Sequence, residues 1–121
     1  MSEELESRAA EAFCYLTTTG RVTGRPHTIE IWFALNGRTL YMLSGNGPRH
    51  RADWVRNLTK TPAVTVRIGD SEFAGVGRVV KDGEEDDHAR RLLLEKYKPT
   101  YSGDLSEWGR TALPVAADIG A

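Results

Sequence analysis

Residues 27–35 alternate between two sets of side chains, and this pattern limits the fold more than any other feature of the chain. One face carries His27, Ile29, Ile31, Phe33 and Leu35, and the other carries Thr28, Glu30, Trp32 and Ala34. A period of two residues is that of a β-strand. Asn36-Gly37 follows, a dipeptide that favours a two-residue type I′ hairpin turn. The sequence therefore predicts that residues 38–44 pair directly with this strand.

Other segments of the chain carry strand or helix signals. Runs of β-branched or alternating residues bounded by turns predict strands at 13–19, 64–68, 72–81 and 113–119. Gly75 and Gly77 lie within one of these strands and predict a bulge or a tight barrel corner. Apolar spacing and charged ends predict helices at 1–12, 52–59 and 84–98.

Six short strands and few helices favour a mainly β fold over an alternating α/β sheet. We expect a closed or half-closed six-stranded antiparallel barrel with flanking helices. A length of 121 residues is usual for one domain, so residues 1–121 are predicted to form a single unit. In this interpretation the helix at 1–12 plugs one end, and residues 13–119 form the barrel.

The charges of the chain give it no global attraction to polyanions. Sixteen basic and seventeen acidic side chains leave a net charge of −1, so neither nucleic acid nor an anionic membrane is an expected partner. The first eleven residues are acidic and contain no long apolar run. We therefore predict a cytoplasmic protein with no stable membrane insertion.

Several catalytic classes lack their sequence signatures. Cys14 is the single cysteine and lies in an apolar stretch, which favours burial over reactivity. The three histidines have no metal-ligand spacing, so no metal site is predicted. Walker, Rossmann and Gly-x-Ser-x-Gly motifs do not occur in the sequence.

Two glycine-containing loops concentrate basic residues. Residues 20–27 carry two arginines, a threonine and a histidine, and residues 44–51 carry two arginines and a histidine before a predicted helix. Guanidinium groups, backbone amides and a helix start all suit a phosphate. The predicted hairpin would bring both loops to one end of the sheet. A solvated turn remains the alternative interpretation of the first loop.

Two tryptophans are candidates for packing against a planar ring. Trp32 lies on the predicted strand, and Trp54 lies in the helix after the second loop. Ordinary core packing is the favoured interpretation for both, because aromatic side chains dominate protein cores.

Three sequence blocks together resemble the deazaflavin-dependent nitroreductase family. They are residues 19–24 (TGRVTG), the strand ending at Ser44 with its glycine loop, and residues 54–58 (WVRNL). The resemblance extends over residues 13–97. It implies a split β-barrel of the FMN-binding type that binds the deazaflavin coenzyme F420. In this family the reduced cofactor passes a hydride to quinones, nitroaromatics or activated enones.

The resemblance also implies roles for individual residues. Arg21 and His27 would face the cofactor phosphate, in a pocket shaped by Thr23, Gly24 and Arg25. The residues along the ring and its ribityl chain would be Ile29, Glu30, Trp32, Ser44 and Gly45. The segment closing over the phosphate would include Asn46, Gly47, Arg49 and Arg51, braced by Trp54 and Asn57. Tyr97 and Tyr101 would face the small-molecule electron acceptor.

Two departures from the family pattern keep alternatives open. Many members carry lysine where this chain has Val22 and Gly45, so less positive charge is available for an acidic cofactor tail. FMN is therefore the alternative cofactor. A module that binds a cofactor, haem or fatty acid without turnover is a second alternative. Such a small barrel can also pair with a second copy of itself, so a homodimer is a further expectation.

Overall fold

The computed structural model describes residues 5–45, 52–81 and 83–120. Its strands are β1 Cys14–Thr19, β2 Pro26–Ile31, β3 Ala34–Asn36, β4 Thr39–Ser44, β5 Ala63–Ile68, β6 Ser71–Val79 and β7 Leu113–Ile119. Its helices are α1 Asp53–Lys60, α2 Glu84–Tyr97 and α3 Ser106–Thr111. The predicted helices at 52–59 and 84–98 agree with α1 and α2 to within a residue at each end, whereas α3 was not predicted.

All seven strands form one antiparallel sheet in the order β2-β1-β5-β6-β7-β4-β3. The two edge strands, β2 and β3, are consecutive in the chain and are separated only by Trp32 and Phe33. Three residue steps span at most about 11 Å, so the sheet must curl until its edges lie side by side. The mainly β barrel is thus confirmed, with seven strands rather than six.

The long strand predicted at 27–35 is wrong in one respect, because it bends and changes partner. Residues 26–31 pair with β1, and only Ala34–Asn36 pairs with β4. The hairpin turn also differs from the prediction. Asn36 pairs with Thr39, so the central residues are Gly37 and Arg38, and of these Gly37 alone has a positive φ, at 62°. This is the pattern of a type II′ turn, not of type I′.

Strand β6 turns a barrel corner at its two glycines, as predicted. Residues up to Val76 pair with β5, and residues from Gly75 onward pair with β7. A Cβ atom on Gly77 would lie 3.2 Å from the Cβ of Leu58 in α1. The absence of a side chain at Gly77 therefore allows α1 to pack closely on the corner.

Side chains that alternate along the strands form two apolar layers. In β4, Leu40 and Met42 point into the barrel, where α1 covers one opening with Val55 and Leu58. Tyr41 and Leu43, the neighbouring side chains of β4, pack on the outer face beneath α2 and α3, in one cluster with Leu93 of α2. The outer layer places α2 and α3 beside the bend between β2 and β3.

The described part of the N-terminal segment contacts the barrel through Leu5 and Arg8. Leu5 is fully buried in the barrel cluster, and Arg8 donates from Nε to Oγ of Ser71 at 3.2 Å. The helix predicted at 1–12 is wrong beyond Glu6, where turns replace it, and its apolar residues Ala9 and Ala12, like Phe13 after it, are exposed. Residues 1–4 of the predicted helix lie outside the described residues.

Candidate functional site

A tight turn between β1 and β2 forms the basic end of the site. The Gly20 amide donates to the Arg25 carbonyl at 2.8 Å, and the Gly24 amide donates to the Gly20 carbonyl at 2.9 Å. Gly24 has a φ of 76°, which favours glycine. The Thr23 hydroxyl accepts from the Arg25 amide at 3.2 Å. The local sequence thus fixes the shape of this turn.

Helix α1 holds the turn through the buried side chain of Asn57, which is 2% exposed. Its Oδ1 atom accepts from both the backbone amide and Nη1 of Arg21, each at 3.1 Å. Its Nδ2 group donates to the hydroxyl of buried Thr18 at 3.2 Å. Trp54, one helical turn earlier, packs into the barrel cluster. Asn57 therefore braces the turn, and Trp54 anchors α1 itself.

The Arg21 guanidinium is partly open to solvent. Its Nη2 group lies 3.1 Å from Oδ1 of Asp53, whose side chain is 71% exposed. An exposed ion pair contributes little free energy, so an incoming anion can compete with Asp53. Lys60, which the sequence analysis did not single out, donates from Nζ to the Arg21 carbonyl at 2.8 Å and adds a second positive charge.

A depression of about 190 Å³ lies over this turn. It is lined by Gly20, Arg21, Val22, Thr23, His27, Asp53 and Asn57. The structure thus brings Arg21, Thr23 and His27 together, and it places the start of α1 beside them. Arg25 is exposed on the same turn. The predicted residues Asn46, Gly47, Arg49 and Arg51 lie outside the described residues.

A larger cavity, of about 670 Å³, opens at the other end of β2. Its lining residues are Phe13, Glu30, Ile31, Trp32, Leu43, Tyr101, Asp104, Leu105 and Trp108. Glu30, Trp32 and Tyr101 were predicted site residues. The others come from separate segments that only the fold brings together, and Trp108 lies on the unpredicted helix α3.

Aromatic rings form one wall of this cavity. Trp32 is stacked on Tyr97, with ring centroids 4.2 Å apart and an interplanar angle of 5°. Tyr101 and Trp108 meet the Trp32 ring edge-on, at 5.6 Å and 5.5 Å. Such a wall offers a planar ligand large apolar surfaces and ring edges.

Tyr97 does not have the substrate-facing position that the sequence analysis expected. Its hydroxyl donates to the Ala12 carbonyl at 2.6 Å and accepts from the Phe33 amide at 3.0 Å. Only 5% of the residue is exposed, and burial raises the pKa of the phenol to about 12. The hydroxyl is committed to the backbone, whereas Tyr101 is 47% exposed and lines the cavity.

Lys96 binds the same bend beside Tyr97. Its Nζ group donates to the Phe33 carbonyl at 2.9 Å and lies 3.6 Å from the centroid of the Phe33 ring. Burial lowers the pKa of this ammonium group to about 8. Lys96 and Tyr97 together satisfy the backbone of Phe33, where the chain leaves β2, and so hold the bend that positions Trp32.

Four further predicted positions are placed as follows. Ile29 packs against the barrel cluster, on the opposite face of β2 from Glu30, and does not line the cavity. Ser44 is buried at the end of β4, and Gly45 is exposed after it. Cys14 is buried, as predicted, and burial raises the pKa of its thiol to about 12, which favours the protonated form at neutral pH.

Strand β2 connects the two concave regions. His27 lines the depression, and Glu30 and Trp32 line the cavity. At about 3.3 Å per residue, three to five residues span about 10 to 16 Å. Because His27 lies on the opposite face of β2 from Glu30 and Trp32, an elongated ligand with an anionic end and a planar ring must pass round the open edge of this edge strand to reach both regions.

Comparison with known proteins gives a family match over nearly the whole chain. The model of a family described as F420H(2)-dependent quinone reductase matches residues 5–119. None of the helices in the described ranges is long and apolar enough to cross a bilayer.

Solved structures share the fold at low sequence identity. An F420-H2 dependent reductase, FDR-A, has a TM-score of 0.70 at 23% identity, covering 88% of this chain and 93% of its own. A proposed 5-nitroimidazole antibiotic resistance protein from Bacteroides thetaiotaomicron has a TM-score of 0.74 at 16% identity, with coverage of 100% and 81%. A third structure, described as a domain-swapped dimer, has a TM-score of 0.71 at 21% identity, with coverage of 95% of each chain.

Proposed function

Because this chain belongs to the F420H(2)-dependent quinone reductase family, we propose that it reduces a quinone, nitroaromatic or activated enone in the aromatic cavity while the cofactor phosphate lies at the Arg21 turn. One observation carries the proposal: a single strand, β2, joins a basic depression to an aromatic cavity. F420 has the matching form, with an anionic tail and a planar ring.

The residues at the two regions fit such a cofactor. Arg21, Thr23 and His27 would bind the phosphate with charged and hydroxyl donors. Glu30 and Trp32 would lie beside the ring. When bound, reduced F420 supplies the hydride, so the chain's own residues bind, orient and exclude water.

The acceptor would occupy the wall formed by Trp32, Tyr101 and Trp108. A quinone that gains a hydride also needs a proton, and its carbonyl oxygen becomes more basic as it is reduced. The hydroxyl of Tyr101 can donate a hydrogen bond to that oxygen. Solvent then completes the protonation.

Titration of the purified protein with F420 and FMN, side by side, tests the cofactor proposal. Arg21→Ala should weaken F420 binding by about 1 to 3 kcal/mol, the range for loss of a hydrogen bond to a charged group. Arg110→Ala on α3 is the matched control, because that side chain is exposed and far along the chain from the turn. Unchanged F420 affinity in Arg21→Ala would show that the cofactor phosphate does not bind at this turn. Preference for FMN over F420 would overturn the choice of cofactor.

Val22→Lys tests the departure from the family pattern. Val22 is 88% exposed in the depression, so a lysine there can be accommodated without repacking. The added charge should tighten F420 binding about two- to fivefold at low salt and affect FMN less, because only F420 carries the longer acidic tail. An equal effect on both cofactors would show that the tail does not pass Val22.

We also propose that two copies pair and that the protein acts in the cytoplasm. The fold relative described as a domain-swapped dimer supports the first proposal, and the sequence supports the second. Light scattering of the purified chain and fractionation of host cells are the respective tests. A monomer at micromolar concentration would contradict pairing.

A further inference from the structure

The aromatic cavity carries two carboxylates among its lining residues. Glu30 reaches it from β2, and Asp104 reaches it from the segment before α3, so the two come from distant parts of the chain. The same lining set contains no lysine or arginine among the residues that the structure describes. The described surface of the cavity is therefore aromatic and negative.

Neither carboxylate is neutralised by an ion pair within the described ranges. Oε2 of Glu30 lies 3.4 Å from the Tyr15 hydroxyl, a long hydrogen bond to a neutral donor. Oδ1 of Asp104 accepts from the amide and the hydroxyl of Ser106, at 2.9 and 2.7 Å. These two bonds, with a smaller contribution from Lys98, lower the pKa of Asp104. Asp104 is thus ionised at neutral pH.

From this arrangement we infer that the cavity selects its electron acceptor by charge, favouring neutral or cationic planar rings and disfavouring anionic ones. This inference rests on the proposed function for the identity of the ligand as an acceptor. An anionic ring would meet two negative charges without a described cation in the lining.

The preference belongs to binding more than to chemistry. A charged substituent on the ring keeps its charge during hydride transfer, so the carboxylates act alike on the bound substrate and on the transition state. The charge order should therefore appear in Kd and KM and be weak in kcat. Two carboxylates that each lie about 8 Å from a charge on the ligand, in a solvent-exposed cavity, should change the binding affinity about fivefold for each unit of ligand charge.

Three naphthoquinones that share one ring system test the inference: an unsubstituted one, a sulfonate and a trimethylammonium derivative. Their binding is measured by calorimetry without reductant, and their KM values are measured with reduced F420. The variants are Glu30→Gln, Asp104→Asn and the double substitution. Both substitutions are isosteric, and Asn retains the acceptor for Ser106. Glu107→Gln, an exposed carboxylate on α3 that does not line the cavity, is the control.

We expect the sulfonate to bind about fivefold more weakly than the neutral quinone and the ammonium derivative to bind more tightly. The spread should fall below about twofold in the double variant and in about 1 M salt, and it should persist in Glu107→Gln. Equal affinities in the wild type, or an unchanged spread in the double variant, would overturn the inference. Charge-ordered binding without reduction by F420H2 would refute the proposed function alone, and reduction without charge order would refute the inference alone.

Discussion

The two ends of β2 have opposite chemistry although they lie on one short strand. At the His27 end, a turn presents Arg21 and Lys60 beside a small depression. At the Trp32 end, rings and carboxylates surround a cavity more than three times as large, about 670 Å³ against 190 Å³. The first region suits an anion, and the second suits a planar ring without negative charge.

The two regions also differ in how they are built. The turn is set mainly by neighbouring residues and is fixed by one helix, through Asn57. The cavity is assembled from the N-terminal segment, β2, β4 and the region around α3. Its shape depends on the bend that Lys96 and Tyr97 hold. Substitutions at the two ends should therefore separate cofactor binding from acceptor binding.

The largest expected effect is at the turn. Asn57→Ala removes three hydrogen bonds and leaves the hydroxyl of Thr18 buried without this donor. We expect a loss of about 2 to 3 kcal/mol in the free energy of unfolding, because buried polar groups that lose their partners are costly. F420 affinity should fall as well. Urea denaturation and cofactor titration measure the two effects.

Arg56→Ala is the matched control for Asn57→Ala, because Arg56 is the preceding residue of α1 and is exposed. Its unfolding free energy should change by less than about 0.5 kcal/mol. If Asn57→Ala were as stable as this control, the turn would be held by something other than the asparagine, and the proposed division between the two regions would lose its first support.

The next effect separates the two tyrosines at the cavity end. Tyr97→Phe leaves the amide of Phe33 and the carbonyl of Ala12 without the hydroxyl but keeps the ring stacked on Trp32. It should lower the free energy of unfolding by about 1 to 2 kcal/mol. Tyr101→Phe should leave stability within about 0.5 kcal/mol and lower kcat/KM for the acceptor. Denaturation and steady-state kinetics on both variants check this. If Tyr97→Phe kept its stability and lost kcat/KM instead, Tyr97 would belong to the acceptor site.

The sequence predicted the turn better than the cavity, for a physical reason. Gly20, Gly24 and Arg21 signal a shaped, basic turn within a few residues, because a local pattern determines local backbone geometry. The barrel was predictable in the same way, from alternation and from the glycines at the β6 corner. The segments 46–51 and 1–4 lie outside the described residues, so the predictions for them stay predictions.

The features that sequence reasoning missed depend on contacts distant in the chain. The alternation through residues 27–35 is real, since Ile31 and Phe33 both face the barrel, but it cannot reveal a change of pairing partner. Phe33 lies at that change, and its amide donates to the hydroxyl of Tyr97, 64 residues later in the chain. Trp108 and Asp104 were missed because residues 102–112 lack a strong periodic signal.

The smallest expected effect concerns Lys96 and the pH dependence of stability. Burial lowers its pKa from 10.5 to about 8. Between these values the unfolded chain binds a proton that the folded chain does not, so the free energy of unfolding should rise with pH across this window. The rise should be about 1 kcal/mol, since the half-buried ammonium is partly screened. Below about pH 8 the cost of burying the charge is fully present.

Lys96→Met should remove this rise while keeping the apolar stem over Phe33. The cysteine and tyrosines with raised pKa values, Cys14 and Tyr97 among them, lower stability at high pH in both proteins. The difference between the two denaturation curves, measured from about pH 7 to about pH 10, therefore isolates Lys96. Lys98→Met, at an exposed position two residues later, is the control. A difference that stays constant with pH would mean that the ammonium is not held in a desolvated position.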